Sequence, residues 1–218
     1  MSSVPNHEIV IERRLDDRLA VVNFRSEHRL NPITRSLVTE LRDALAGLRD
    51  EDPAVVALRG GVSFSCGAHI GELGALSPAE LDAFVADELE LFEEVRQFPA
   101  LMVAVITGNC VGNGAELALA CDLRIASNDV VMSWPEVLIG QPGPVEQLTA
   151  LVGQAHAANL ALTGRPLPAA DAMRLGILAE VYDHSEFERS SRAWLEGAAG
   201  LDREAIRATR SRLRPSRR

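Results

Sequence analysis

Two glutamates, each beside glycine-rich backbone, carry the chemistry this sequence makes available. Glu116 lies in residues 108–122 (GNCVGNGAELALACD) and Glu136 in residues 134–143 (WPEVLIGQPG). A buried pair of carboxylates near free backbone N–H groups can move protons next to a developing oxyanion, one acting as base while the other acts as acid. The chain therefore reads as an enzyme.

The free amides would come from two loops. In residues 61–70 (GVSFSCGAHI) the small residues Ser65, Cys66, Gly67 and Ala68 let backbone approach a ligand closely. In Gly112-Asn113-Gly114 a glycine-rich turn opens a helix whose first amides are unpaired and whose dipole favours a nearby negative charge. Two such sources could grip one carbonyl oxygen. Singly, each motif fits an ordinary tight turn, and a lone glutamate is ordinarily a solvated one. Their order and spacing carry the weight.

Strands and helices must alternate to position these loops, the pattern of an α/β layer architecture with mostly parallel strands. Residues 19–24 (LAVVNF) read as a buried strand with an antiparallel partner at 8–11. Asn31-Pro32 supplies an N-cap and first-turn proline for a helix carrying Ile33, Leu37, Leu41, Leu45 and Leu48 to about Arg49. A strand at 55–58 runs into the loop at 62–74. Ser77 and Glu80 form a capping box for a helix through Phe98, whose acidic face points to solvent while Leu81, Phe84, Leu89 and Phe92 turn inward. Residues 101–106 return as an apolar strand directly before the Glu116 segment. Short strands at 123–126 and 130–133 follow, the second leading to Glu136. The pattern turns helical after Pro144, with a final strand at 177–182 and helices over about 185–199 and 201–213.

Composition limits the partners. The 218 residues, 47% hydrophobic and 24% charged, suit one globular core at 1–183, with a helical region and arginine-rich tail at 184–218. A net charge of −9 argues against a nucleic-acid surface. All 22 basic residues are arginine, so chemistry that needs a lysine amine, such as a Schiff base, is excluded. Cys66, Cys110 and Cys121 show neither disulfide nor zinc spacing. No targeting segment or membrane span is legible, and cytoplasmic residence is the default expectation.

The four ordered motifs resemble the crotonase, or enoyl-CoA hydratase/isomerase, superfamily. FSCGAHIGEL (residues 64–73) is similar to the family's F-S-A-G-A-D-I loop, and GNGAELALACDLRIAS (112–127) to its G-G-G-x-E-L-A-x-x-C-D-x-R-I-A element. WPEVLIGQPG is similar to P-E-x-x-x-G-x-x-P-G, and LTGRPLPAADAMRLGILAEV (162–181) to the T-G-x-x-x-x-A stretch that follows it. The resemblance implies a spiral of ββα units and an oxyanion hole made by the N–H groups of Ala68 and Asn113. Cys66, Gly67, His69 and Gly112 would line it. The ligand would be an acyl thioester of coenzyme A or a carrier protein, with no cofactor beyond the coenzyme A of the substrate and no metal. Glu116 and Glu136, 20 residues apart, would be the water-holding pair of a hydratase. Glu116 would activate the water for C3, and Glu136 would exchange the proton at C2. Arg25 or Arg29 would contact the CoA nucleotide, and trimers or hexamers are implied.

Departures from the pattern set the remaining expectations. Asn113 replaces a glycine, His69 replaces the aspartate after the oxyanion alanine, and Pro144 and Val145 replace glycines near a helix start. Arg207, Arg210, Arg212, Arg214, Arg217 and Arg218 could meet CoA phosphates or an acidic carrier, although a solvated tail is the simpler expectation. The short end and altered loops resemble crotonases of secondary metabolism, including accessory dehydratases of polyketide-derived aromatic thioesters. Two alternatives stand beside hydration: double-bond isomerisation using Glu136 alone, and a non-catalytic subunit that stimulates a polyketide-type synthase.

Overall fold

A computed structural model of the chain describes residues 4–143 and 145–213. Strand β1 (His7–Arg14) pairs antiparallel with β2 (Leu19–Ser26), with Ile9 opposite Phe24. From β2 the sheet continues in parallel through β3 (Val55–Arg59), β4 (Leu101–Ile106), β6 (Leu123–Ser127) and β9 (Glu180–Tyr182), in the order β1-β2-β3-β4-β6-β9. A smaller sheet joins β5 (Asn109–Val111), β7 (Val131–Ser133) and β8 (Leu167–Pro168) in the order β5-β7-β8. The expected α/β spiral is thus the observed architecture.

Continuous apolar runs form the parallel strands because both faces are covered. One face of the large sheet carries Ala20, Val22, Val56, Leu58, Met102 and Ala104 and packs against helices α1 (Arg35–Glu51) and α3 (Pro78–Gln97). The other face presents Leu19, Val21, Val55, Ala57, Val103, Val105 and Ile125. That second face is covered by Phe187, Leu195, Ala198 and Ala199 of α7 (Phe187–Ala199). The odd–even division follows from the two-residue period of a strand. Between these elements lie α2 (Ile70–Leu73), α4 (Asn113–Ala120), α5 (Glu146–Ala161) and α6 (Ala169–Arg174), and α8 (Arg203–Leu213) closes the described chain.

Some boundaries differ from expectation. Helix α1 begins at Arg35, where the Thr34 hydroxyl caps it by accepting from the Leu37 N–H. Asn31 does a different job: at φ +53° its side-chain amide donates to the carbonyls of Phe24 and Phe64, at 3.0 and 2.8 Å. It therefore ties the end of β2 to the loop after β3, a left-handed position that asparagine tolerates better than most residues. The last strand is short, starting at Glu180, and β7 starts at Val131. Helix α3 has its capping box at Ser77 and Glu80, but its buried stripe runs through Phe84, Glu88, Leu91, Phe92 and Val95. Leu81 and Leu89, expected inside, are exposed, and Glu88 replaces the second of them in the core.

The helical arginines near the end of the chain hold structure together. Arg203 and Arg207 pair with Asp52, and Arg210 pairs with Asp122 at 2.7 Å while donating to the Phe98 carbonyl. Arg18 reaches across to the carbonyls of Ala199 and Leu201, at 2.8 and 2.6 Å. Arg207 and Arg210 are thus neither a solvated tail nor free for phosphate, while Arg212 is exposed. Arg214, Arg217 and Arg218 lie outside the described residues, as does Pro144.

Candidate active site

The loop after β3 is stitched on two sides. Toward β5, the Phe64 N–H donates to Thr107 and the Ser65 N–H to Asn109, while the Ser65 carbonyl accepts from Val111. Toward the α1 approach, the Cys66 N–H donates to Leu30, and Ile33 bridges the loop by donating to Gly67 and accepting from His69. The Gly67 N–H turns back onto Ser65 Oγ at 3.1 Å. From Phe64 to His69, Ala68 is the one residue whose N–H has no acceptor among the described residues. Its parallel bridge to Ile33 uses the amides on either side and aims its own N–H the other way.

The second source of amides abuts the first. Helix α4 starts after Gly112 with no side-chain cap, and the N–H of Asn113 has no acceptor among the described residues. Its neighbours on either side are fixed: the Gly112 N–H donates to Ser133, and the Gly112 carbonyl accepts from Glu116. A β-carbon added at Gly67 would lie 2.9 Å from the Val111 carbonyl and 3.5 Å from the Asn113 nitrogen. Glycine at φ +87° is therefore what lets the two unpaired amides approach one another. Gly114 serves the same contact, since a β-carbon there would come within 2.6 Å of Ser65 Cβ.

Both glutamates face this place. Glu116, on the first turn of α4, is 1% exposed, and Trp134 Nε1 donates to its Oε1 at 2.8 Å. Burial pushes its carboxyl up to about 8; the indole hydrogen bond opposes that, and the charge of Glu136 adds to it. Glu136 opens a 3-10 turn at Glu136–Ile139, packed between Gly112 and Gly143. A β-carbon at Gly112 would come within 2.8 Å of Glu136 Oε1, and one at Gly143 within 3.1 Å of Oε2. Neither carboxylate oxygen of Glu136 has a hydrogen-bond partner among the described residues, and burial raises its pKa too. Gly112 thus joins the three parts, preceding one unpaired amide, accepting from Glu116 and lying against Glu136.

The remaining sequence candidates fall around this centre. His69 Nδ1 accepts from the Glu72 N–H at 3.1 Å and caps the short helix α2, which leaves Nε2 to carry the ring proton in the neutral form. Cys66 is half-buried, and burial raises its thiol. Arg25 and Arg29 are exposed at the end of β2 and beyond it; Arg29 immediately precedes Leu30, whose carbonyl holds the Cys66 amide. Among the described residues no group of three His, Cys, Asp or Glu side chains could hold a metal ion. No helix among them is long and apolar enough to cross a membrane.

Three participants escaped the sequence reading. Trp134 stands two residues before Glu136, Asn31 has the appearance of a cap, and Glu88 falls among the acidic residues of a helix whose acidic face is expected in solvent. Glu88 is 3% exposed, and both of its oxygens accept from Asn113 Nδ2, at 2.9 and 2.7 Å. Burial lifts its carboxyl to about 7, against that hydrogen bond. Its place at 88, four after Phe84 and four before Phe92, was the signal available in the sequence.

Opposed unpaired amides beside two carboxylates that burial makes harder to ionise define the crotonase class of acyl-thioester enzymes. Residues 14–216 match the family model for enoyl-CoA hydratase/isomerase. The chain is 30% identical over 205 residues to the probable enoyl-CoA hydratase echA8 of Mycobacterium bovis, covering 91% of this chain and 78% of that one. The fold superposes on an enoyl-CoA hydratase of Bacillus anthracis with a TM-score of 0.89 at 26% identity, covering 94% of this chain and 81% of the other. It superposes on one of Thermoplasma volcanium with a TM-score of 0.87 at 29% identity, covering 94% and 82%. The chain belongs to the enoyl-CoA hydratase/isomerase family and is a hydratase-like lyase.

Proposed function

We propose that the protein adds water reversibly across the C2=C3 bond of an enoyl thioester of coenzyme A, and removes it from the 3-hydroxyacyl counterpart. The observation that carries this reading is the meeting of two unpaired amides, Ala68 and Asn113, with two buried carboxylates, Glu116 and Glu136. The amides would donate to the thioester oxygen as it gains enolate charge; one such donor is worth about 2.7–4 kcal/mol. Glu116 would then exchange a proton with the oxygen at C3 and Glu136 with the carbon at C2. No cofactor beyond the coenzyme A of the substrate enters the scheme. Arg25 or Arg29, both exposed, would meet its phosphates, and Cys66, Gly67, His69 and Gly112 would contribute shape to the pocket rather than proton transfer.

In this scheme the pair carries one proton between its members. With Glu136 ionised beside it, Glu116 keeps its proton up to about 8. That resting arrangement suits dehydration, in which Glu136 takes the C2 proton and Glu116 protonates the departing hydroxyl. Its unpartnered oxygens leave Glu136 open to a carbon acid. Hydration uses the opposite placement of the same proton, so both directions need the singly protonated pair.

The finer expectations belong to the same proposal. A carrier-protein thioester presents the same carbonyl, and a role in secondary metabolism beside a polyketide synthase rests on the altered loops. The exposed apolar residues Leu138, Ile139 and Leu162 near the Glu136 turn would be covered in the implied trimer or hexamer. The test is loss of enone absorbance from crotonyl-CoA, or from an aryl-substituted analogue. Glu116→Gln and Glu136→Gln should each remove most of that turnover. Unchanged rates in both variants would sink the assignment, and an active Glu116→Gln enzyme that moves a double bond would establish the isomerase instead.

A further inference from the structure

Helix α3 buries a carboxylate where its stripe calls for a hydrocarbon. Phe84, Leu91, Phe92 and Val95 share the inward face with Glu88, and α3 packs there against α4. A carboxyl group in such a place is costly unless its oxygens are satisfied. No arginine is within ion-pairing distance of it among the described residues; its partner is the Asn113 side-chain amide, which both oxygens hold. Asn113 is also the residue whose main-chain N–H points unpaired into the site, at the start of a helix with no side-chain cap.

The peptide between Gly112 and Asn113 needs holding. Gly112 sits at φ +54° and ψ −126°, backbone angles open to glycine, so its own torsions resist rotation of that peptide weakly. One side is anchored by the Gly112 N–H on Ser133. On the other, the carbonyl of that peptide accepts from the Glu116 N–H at 3.0 Å, and the Asn113 side chain adds a second hold from outside the helix, through Glu88. We propose that Glu88 is a positioning residue: by gripping the Asn113 side chain it sets the direction of the Asn113 N–H toward the thioester oxygen. The inference rests on the acyl-thioester reading of the site. It explains why asparagine replaces the glycine of the family pattern and why a carboxylate occupies the apolar stripe of the facing helix. The two substitutions form one device.

The test combines kinetics with a readout of carbonyl polarisation. Crotonyl-CoA hydration gives kcat and KM. Infrared difference spectra of bound butyryl-CoA, labelled with 13C at the carbonyl and unable to react, report how strongly the amides pull on the oxygen. Glu88→Ala should lower kcat about tenfold with KM within about twofold, the signature of a misaligned donor. The bound carbonyl stretch should move back toward its value in water. Glu88→Gln keeps an oxygen for Asn113 Nδ2 and should restore both, which also covers the case of an alanine variant that fails to fold. Asn113→Gly uncouples the pair, so Glu88→Ala added to it should cause no further loss. Losses that multiply instead, or an unshifted carbonyl in Glu88→Ala, would overturn the proposal. A wild-type protein that polarises butyryl-CoA in this Glu88-dependent way yet leaves crotonyl-CoA intact would refute hydration while upholding the positioning role. No polarisation in the wild type would refute both.

Discussion

Replacing Glu116 with glutamine should make the protein more stable, and increasingly so as pH rises. The buried carboxyl is held near 8 against an ordinary 4.5, mainly by burial. A raised folded-state value means that the unfolded chain releases the proton first, so stability is complete below about 4.5 and drains away as pH climbs toward 8. At about 1.4 kcal/mol per pH unit, that interval sets a ceiling of about 5 kcal/mol. Relaxation and water entry reduce it, and about 2–3 kcal/mol is the expected share. Glutamine keeps the shape and an oxygen for Trp134 Nε1 but cannot ionise. Thermal unfolding of the two proteins should therefore nearly coincide at pH 5 and separate by roughly 4–12 °C at pH 8.5, at about 2–4 °C per kcal/mol for a chain of this length. The same variant should lose hydration activity. A gap that stays constant across this range would refute the claim that Glu116 is buried with its proton.

Turnover itself should be bell-shaped in pH: it rises as the carboxyl pair loses its first proton and falls again near 8 as it loses its second, measured as kcat/KM for crotonyl-CoA. Gly112→Ala puts a β-carbon within 2.8 Å of Glu136 Oε1 at φ +54°, and should cut kcat at least about 100-fold while destabilising the fold by about 1–3 kcal/mol. His69→Ala removes a cap from a four-residue helix and should lower stability by about 1 kcal/mol, with turnover reduced less than about tenfold; a larger kinetic loss would give the imidazole a chemical role. Arg210→Ala leaves the nearly buried Asp122 without its 2.7 Å partner and should lower the unfolding midpoint by several degrees without changing KM.

Much of this site was legible because its parts are local. The glycines at 67, 112 and 114 sit in turns whose need for close approach shows in the sequence, and Glu116 and Glu136 come with their motifs. Residues acting across distance were not legible. Asn31 looks like a helix cap because asparagine before proline usually is one; its two bonds to Phe24 and Phe64 exist only after β2 and β3 pair. Glu88 was read by residue type, and a glutamate in an acidic helix reads as solvated until Asn113 is known to lie opposite. Thr34, three residues after Asn31, won the competition for the cap because its hydroxyl could reach the Leu37 amide. Arg207 and Arg210 are likewise bound by Asp52 and Asp122, partners 155 and 88 positions away.

The late cover over the second sheet face bears on synthesis. Leu19, Val21, Val55, Ala57, Val103, Val105 and Ile125 can form their apolar surface once β6 has left the ribosome, with Glu116 already made. Helix α7, which covers that surface, is complete only at Ala199. At about 5–20 residues per second the wait is roughly 4–15 seconds. During that interval the nascent chain presents a wide hydrophobic sheet to solvent, and slowing translation between these segments should increase aggregation rather than yield.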